Sequence, residues 1–455
     1  MTDETRQTLL RSRPLDDLQK GFCPALCVLL LTTQAACVPV PTPRLTPSPS
    51  DLPTNIKSPA KTPTLTPMWS STPTPTPRVT RATLFPSVTP TLSLTPAFVS
   101  LLPVAFESIQ MMDMKTGWAV ANIITEEVTH IFRTVDSGAT WGDVGPVDGD
   151  ISGSFFLDDE LAWIWTRAQA WRTQDGGARW TPLGEFGWLP DLGFIDGQHG
   201  WKLNADYWGL SFVQFDIISF CITLDGGLTW QETNPPPDDW GVAFMAYPGV
   251  QTAWAIRAGF AKTVEGVPNL GIPFRIQATF DGGNSWITRQ MPLPPDAQVA
   301  ERPGEGTYLG GVGNCDFVSP VFSSTNIWKS ALTCELQSWM YTSANQGKTW
   351  IISDMPAGLD ADIEFIDAST GWLLIGNPYE SPEGHLYQTT DGGQSWTLIK
   401  RTGWADARLS FVDPQTGWAV ACTDAFCYQP KAKQALIKTT DGGKTWQILE
   451  PQFGP

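Results

Sequence analysis

Residues 439–446 read Thr-Thr-Asp-Gly-Gly-Lys-Thr-Trp, and nearly every position has a turn-building reason. Gly442 and Gly443 suit the positive φ angles that so tight a turn requires. Asp441 can accept hydrogen bonds from turn N–H groups, and the Thr439 and Thr445 hydroxyls can satisfy others. Trp446 starts the outgoing strand with a large buriable ring. The same box recurs at 389–396, 279–286, 223–230, 173–180 and 134–141, with a degenerate copy at 343–350 that carries Asn345 in place of Asp. Seven copies, about 40 to 60 residues apart, point to a solenoid, a propeller or an array.

A second motif precedes each box. Residues 411–420 form an apolar run, a turn and a Gly-Trp strand; 365–374, 194–203 and 109–120 match it, and looser versions centre on Trp163, Trp254 and Trp328. Each repeat therefore holds four strands: A (the Phe-containing run), B (Gly-Trp), C (entering the box) and D (leaving it). Four short antiparallel strands repeated seven times define an all-β fold, a seven-bladed β-propeller over residues 98–455. The alternative is seven unrelated hairpins, which a fixed order of two motifs disfavours. How the ring closes is open at this level.

The segment before the ring has a different composition. Arg11, Arg13 and Lys20 precede an apolar run at 22–31, too short for a permanent membrane span and suited to a secretory signal. Gln34-Ala35-Ala36-Cys37 resembles a bacterial lipobox, with Gln34 where Leu is usual, which makes Cys37 the candidate lipidation site. Residues 1–37 are thus read as a signal peptide with a lipobox-like end. Residues 38–97 are rich in Pro, Thr and Ser, a composition that favours disorder and extended polyproline II. The expected location is the extracellular face of a bacterial membrane, lipid-anchored, with secretion as the alternative.

Charge narrows the partners. Residues 1–36 hold four basic and four acidic residues and 38–97 hold five and one, leaving 20 Lys+Arg against 41 Asp+Glu in the rest of the chain. So acidic a ring argues against nucleic acid, whose binding rests on Lys and Arg, and suits a cationic partner. Membrane contact is expected only through the N-terminal lipid, and a closed ring is expected to be monomeric.

Five of the eight cysteines lie in the ring. Cys315 and Cys334 face each other across the blade 5 hairpin, and Cys422 and Cys427 flank a short turn in blade 7. Both pairs are placed for disulfides, which suit an oxidising compartment. The alternative is five reduced core residues.

In a propeller, the A–B and C–D turns share one face, here the bottom; the B–C and D–A connections share the top. The box residues Asp136, Asp175, Asp225, Asp281, Asn345, Asp391 and Asp441 each fall in a separate blade, so they read as turn staples rather than as one catalytic or metal cluster. Trp188, Trp240 and Trp404 fall in D–A connections, and Tyr207 and Trp208 in a B–C connection. With Asp206, Asp238, Asp239 and Asp406 they form the candidate top-face binding site: rigid aromatic contacts plus orienting carboxylates. The alternative is that these aromatics only cover blade ends. Two insertions, 258–273 and 291–314, belong to the same face. His130, His199 and His385 stand apart, no phosphate loop or nucleophile elbow is present, and no catalytic residue, cofactor or metal site is indicated.

The boxes resemble the bacterial neuraminidase repeat, or Asp-box, of sialidases, sortilin-type receptors and several propeller lectins and glycosidases. The paired Phe-Asp…Gly-Trp and Thr-Asp-Gly-Gly-x-Thr-Trp motifs, spread over residues 106–449, resemble the seven-bladed photosystem II stability/assembly factor family. That resemblance implies a non-enzymatic propeller that binds other proteins during assembly. Photosynthetic members have a basic partner surface, so this acidic ring implies a different ligand. The partner class is therefore a protein or a glycan at the cell envelope. The competing class is a glycan-binding or glycoside-hydrolysing propeller, which would need two carboxylates about 5 to 10 Å apart at the top centre.

Overall fold

The computed structural model describes residues 102–454, apart from 103, 124–127, 147–150, 167, 185, 187–190, 208–214, 237–242, 258–260, 265–266, 270–273, 296–297, 303–305, 311–314, 319, 335, 359–360, 423–425 and 428–431. The signal-like segment with Cys37 and the Pro/Thr tract lie outside the described residues.

The chain forms seven four-stranded antiparallel blades. Blade 1 comprises Val104–Met111, Gly117–Ile123, Val128–Thr134 and Thr140–Asp143. Blade 2 comprises Gly153–Phe156, Ala162–Trp165, Ala170–Thr173 and Thr181–Gly184. Blade 3 is Asp191–Phe194, Gly200–Tyr207, Phe215–Thr223 and Gln231–Thr233. Blade 4 is Ala243–Gly249, Thr252–Arg257, Arg275–Thr279 and Ile287–Gln290. Blade 5 runs Cys315–Phe317 with Phe322–Ser323, then Trp328–Cys334, Ser338–Ser343 and Ile351–Met355. Blade 6 holds Ala361–Phe365, Gly371–Gly376, Gly384–Thr389 and Thr397–Thr402, and blade 7 holds Asp406–Phe411, Gly417–Cys422, Gln434–Thr439 and Gln447–Ile448. Contacts between the A strands of blades 2 and 3, 3 and 4, 4 and 5, 6 and 7, and 7 and 1 place these strands towards the centre. The two insertions each contain a hairpin: Ala261–Val264 with Val267–Asn269, and Gln298–Arg302 with Gly306–Gly310.

The register explains why the two motifs travel together. The Gly of Gly-Trp lies opposite the last A-strand residue on one side and the first box residue on the other: Phe411↔Gly417↔Thr439 and Phe365↔Gly371↔Thr389. A Cβ on Gly417 would come within 2.4 Å of the Phe411 ring, so only glycine lets that ring lie across strand B. The adjacent Trp then reaches the next blade. Trp372 stacks on Phe411 at 3.6 Å, and Trp163 stacks on Phe194 at 3.7 Å. These fully buried indoles form most of the interblade core, each burying on the order of 200 Å².

The ring closes with seven whole blades and no shared one. Trp418 of blade 7 donates to Ser137 O of blade 1 at 2.9 Å, repeating the contact found elsewhere in the ring. Gln434 brackets Phe106, accepting from its N–H at 2.7 Å and donating to its carbonyl at 2.9 Å. Gln452–Gly454 adds a fifth strand to the outer edge of blade 1. Disulfides join Cys315 to Cys334, which are paired in register, and Cys422 to Cys427. Cys221 is buried.

Candidate functional site

The bottom face is one device used seven times. In blade 7, Thr439 Oγ1 donates to Asp441 Oδ1 at 2.9 Å and accepts from Gly443 N–H at 2.9 Å. Thr445 donates twice to Asp441, from N–H at 2.8 Å and from Oγ1 at 2.6 Å. The same bonds recur around Asp136, Asp225, Asp281 and Asp391. In blade 2 the Arg179 guanidinium replaces the hydroxyl on Asp175, and in blade 5 Asn345 Nδ2 donates to Thr349. The Asn copy retains the backbone bond, with Thr349 N–H donating to Asn345 Oδ1 at 2.8 Å, so the turn does not need the charge.

These bonds set the electrostatics. Burial pushes Asp136, Asp225, Asp391 and Asp441 up, and the Thr or Ser hydroxyls and N–H groups outweigh it, so each sits below the usual carboxylate range. For Asp281 the bonds from Ser285 dominate, and for Asp175 those from Arg179.

The residue after the box Asp fastens blades together. In every blade its N–H donates to the A–B turn of the same blade, as Gly442 does to Gln415 O at 2.8 Å. Its carbonyl accepts from the preceding blade: Gly226 from Trp163, Gly442 from Trp372, Ser137 from Trp418, Gln346 from Arg289 and Gly392 from Lys329. Lys329 is almost fully buried, and burial pushes its ammonium down to about 8 against the pull of Asp391.

Of the predicted top-face residues, Trp404 is a correction. It is 2% exposed and packs edge-on against Trp446 at 5.9 Å, within the blade 6–7 core. Its segment sinks because the paired Gly376 and Gly384 leave no side chain in the way: a Cβ on Gly376 would lie 2.1 Å from Ala405 O and one on Gly384 2.5 Å from Trp404 O. Asp206 and Tyr207 lie in strand B of blade 3, opposite Asp216 and Phe215, rather than in a connection. Trp188, Trp208, Trp240, Asp238 and Asp239 lie outside the described residues.

Asp406 does lie at the top, at the start of strand A of blade 7, and heads a row of polar groups that runs down the inner strands of blades 6 and 7. It accepts from Cys427 N–H at 2.6 Å and pairs with Arg408 at 3.4 Å. From blade 6, Asp362 accepts from Leu409 N–H at 3.4 Å and Glu364 from Phe411 N–H at 2.9 Å. An innermost strand has a free edge, and these carboxylates satisfy it. Ser410 does the same for Met111 N–H of blade 1 at 2.8 Å. Both acids of blade 6 are half-buried. Burial pushes Asp362 up to about 6, against Arg408 and the Leu409 N–H, with Asp406 adding to the rise. Burial pushes Glu364 up to about 8, against the Phe411 N–H and with Asp362 adding. Burial thus favours the neutral form of Glu364, and its buried Oε2 has no hydrogen-bond partner.

Sequence reasoning missed Tyr379, which is 68% exposed on the blade 6 B–C connection. Asn377 shapes that loop: its Oδ1 accepts from Tyr379 N–H at 3.0 Å, and its carbonyl accepts from Glu380 and Ser381 N–H at 3.0 Å each. The Tyr379 ring meets Phe426 of blade 7 edge-on at 5.0 Å. The available signal was the stretch 377–382, Asn-Pro-Tyr-Glu-Ser-Pro, a turn-rich connection presenting one aromatic.

Among the described residues, no group of three or more His, Cys, Asp or Glu is arranged to hold a metal ion, and no helix is long and apolar enough to cross a membrane. The molecule is thus a seven-bladed β-propeller with a uniform bottom face, acids along the inner strands of blades 6 and 7, and an exposed aromatic on the blade 6 top loop. No protein-family model matches the chain, and no curated protein does. Among solved structures, YCF48 bound to D1 peptide is 12% identical, covering 74% of this chain and 94% of its own, with a TM-score of 0.43. YCF48 from Cyanidioschyzon merolae is 14% identical, covering 75% and 97%, with a TM-score of 0.44. An oligogalacturonate lyase in complex with manganese is 9% identical, covering 75% and 97%, with a TM-score of 0.48. At these identities the likeness is one of fold.

Proposed function

We propose that this propeller is a non-enzymatic, protein-binding scaffold of the bacterial cell envelope, presenting the top of blades 6 and 7 to a cationic partner. The observation that carries the reading is Tyr379, an exposed aromatic held on a hydrogen-bonded loop and braced by Phe426. Glu380 and Glu383 stand beside it, and rigid aromatics with charged neighbours make good interface anchors. The acid excess of the ring would speed encounter with a Lys/Arg-rich surface. The resemblance of the paired motifs to the assembly-factor family supports a binding role. Lipidation at Cys37 and the Pro/Thr stalk would hold the ring off the membrane as a monomer, with plain secretion as the alternative.

The test is a pull-down from cell-envelope extract and a glycan array, run with the full chain and its Tyr379→Ala variant. Protein partners captured by the parent and lost by the variant, with weakening in salt, are expected. Equal capture by both would remove Tyr379 from the site. For the anchor, Cys37→Ala should abolish incorporation of labelled palmitate.

One observation favours a second reading, glycan cleavage: Glu364, with an unpartnered Oε2 and its neutral form favoured by burial, stands two residues from Asp362 on the inner strand of blade 6. Two acids with separated pKa values are the pattern of acid–base chemistry. Hydrolysis of a polysaccharide panel by the parent, lost in Glu364→Gln with binding retained, would favour it.

A further inference from the structure

The outer edge of blade 1 differs from those of the other six. Its strand D, Thr140–Asp143, carries Gln452–Gly454, and this is the one parallel pairing among the described strands. The register is Gln452↔Thr140, Phe453↔Trp141 and Gly454↔Gly142, and Gln452 N–H donates to Ala139 O at 2.9 Å. Phe453 lies edge-on to Phe132 at 5.5 Å and 6.0 Å from Phe106, whose ring is in turn edge-on to Trp141 at 5.8 Å.

Blade 1 already has the four strands that complete every other blade. The added segment belongs to no meander; it comes from beyond strand D of blade 7 and lies along a finished sheet edge. That is the geometry of strand addition, in which the main chain supplies the pairing and one side chain fills an apolar pocket. Pro451 and Pro455 flank the segment and favour an extended backbone on each side. Three register pairs and one ring make a small contact compared with the strand pairs inside the blades.

We infer that the outer edge of blade 1 is a strand-docking site for a linear peptide with a central aromatic residue, and that residues 452–454 are its resident, exchangeable occupant. The partner is an extended segment of another protein that presents a Phe-like side chain between small or polar neighbours. Exchange would leave the seven blades intact, because Trp418, Ser410 and Gln434 hold the blade 7–1 seam independently.

The experiment uses the full chain, a variant lacking residues 452–455, and full-length Phe453→Ala. The probe is a labelled synthetic peptide of residues 449–455, followed by fluorescence anisotropy, with circular dichroism and thermal melting to monitor the fold. The shortened chain should bind the peptide at least about tenfold tighter than the parent, and a peptide with Ala in place of its Phe should lose at least about tenfold. Full-length Phe453→Ala should fall between parent and shortened chain. A folded shortened chain that ignores the peptide overturns the inference. So does equal binding by parent and shortened chain. Loss of the fold in both variants would make the segment a structural latch and equally overturn it. A parent dimer that the peptide dissociates would make a second copy the donor and overturn the assignment to another protein.

Discussion

The bottom turns and the inner strands of the ring use carboxylates in opposite ways. On the bottom, six aspartates sit in turns that surround each carboxylate with donors, and their pKa values fall. Inside the ring, on strand A of blade 6, Asp362 and Glu364 are half-buried and each accepts from one blade 7 backbone N–H, and their pKa values rise. The difference lies in donor supply rather than in distance from solvent alone. An acid that repeats with its donors is architecture. An acid that occurs once, on an inner strand with a single backbone donor, has its neutral form favoured by burial.

The largest test asks whether the bottom and interblade contacts carry the stability and the top does not. Trp418 is fully buried and closes the ring onto Ser137. Trp418→Ala removes both packing and that bond, and should cost about 3–5 kcal/mol in chemical denaturation. Tyr379→Ala, at an exposed site, should stay within about 0.5 kcal/mol. Similar losses from the two would collapse the distinction between a structural and a presenting face.

pH separates the two sets of acids by sign. The box aspartates are lowered in the fold, so the stability they contribute is present above their unfolded value of 3.8 and is lost as pH falls through the folded values. Asp362 and Glu364 are raised, so their contribution is full below 3.8 and 4.5 and is lost as pH rises through about 6 and about 8. Thermal melting should therefore show an acid limb and a separate decline between about pH 4 and about pH 8. Glu364→Gln cannot ionise, so it should melt higher than the parent at pH 9, by on the order of 2–4 kcal/mol, and close to it at pH 5. An unchanged alkaline limb in Glu364→Gln would assign that decline elsewhere.

The repeats made most of the fold legible. Phe411, Gly417, Trp418 and the 439–446 box are joined by one register, so a short-range pattern reported the blade, and seven patterns reported the ring. Cys315 and Cys334 were legible for the same reason, since the hairpin puts them opposite each other. The top face was less legible because it does not repeat. Trp404 read as a surface aromatic, yet Gly376 and Gly384 on a neighbouring blade decide that it is buried. Asp362 and Glu364 gave no signal, since their environment comes from blade 7 backbone about 47 residues away. The fifth strand of blade 1 was hidden as well: Gln452–Gly454 pairs with a strand more than 300 residues earlier.

A smaller effect sharpens the claim that the bottom acids are staples. Asp441→Ala leaves the Thr445 N–H and hydroxyl without their acceptor and should cost about 1–2 kcal/mol. Asp441→Asn should cost under about 0.5 kcal/mol near neutral pH, because Asn345 already makes the equivalent backbone bond in blade 5. It should also remove that box from the acid limb. Equal losses for the two variants would mean that the charge, and not the hydrogen bonding, holds the turn.

The smallest effect concerns the position after the box Asp. Glycine stands there in five blades, while Ser137 and Gln346 hold φ values of 68° and 60°. Such a backbone favours glycine, so each exception carries strain. Each also offsets it locally: Ser137 Oγ donates to Met114 O, and Gln346 Nε2 donates to Thr325 O at 3.0 Å. Both acceptors belong to the A–B turn of the same blade, which the backbone N–H at this position also reaches. Gln346→Gly relieves the strain and loses the exposed side-chain bond, two terms of similar size and opposite sign. The net change in denaturant midpoint should correspond to less than about 0.5 kcal/mol. A loss above about 1 kcal/mol would show that the Gln346 side chain, rather than the shared backbone bonds, fastens the blade 5 turn.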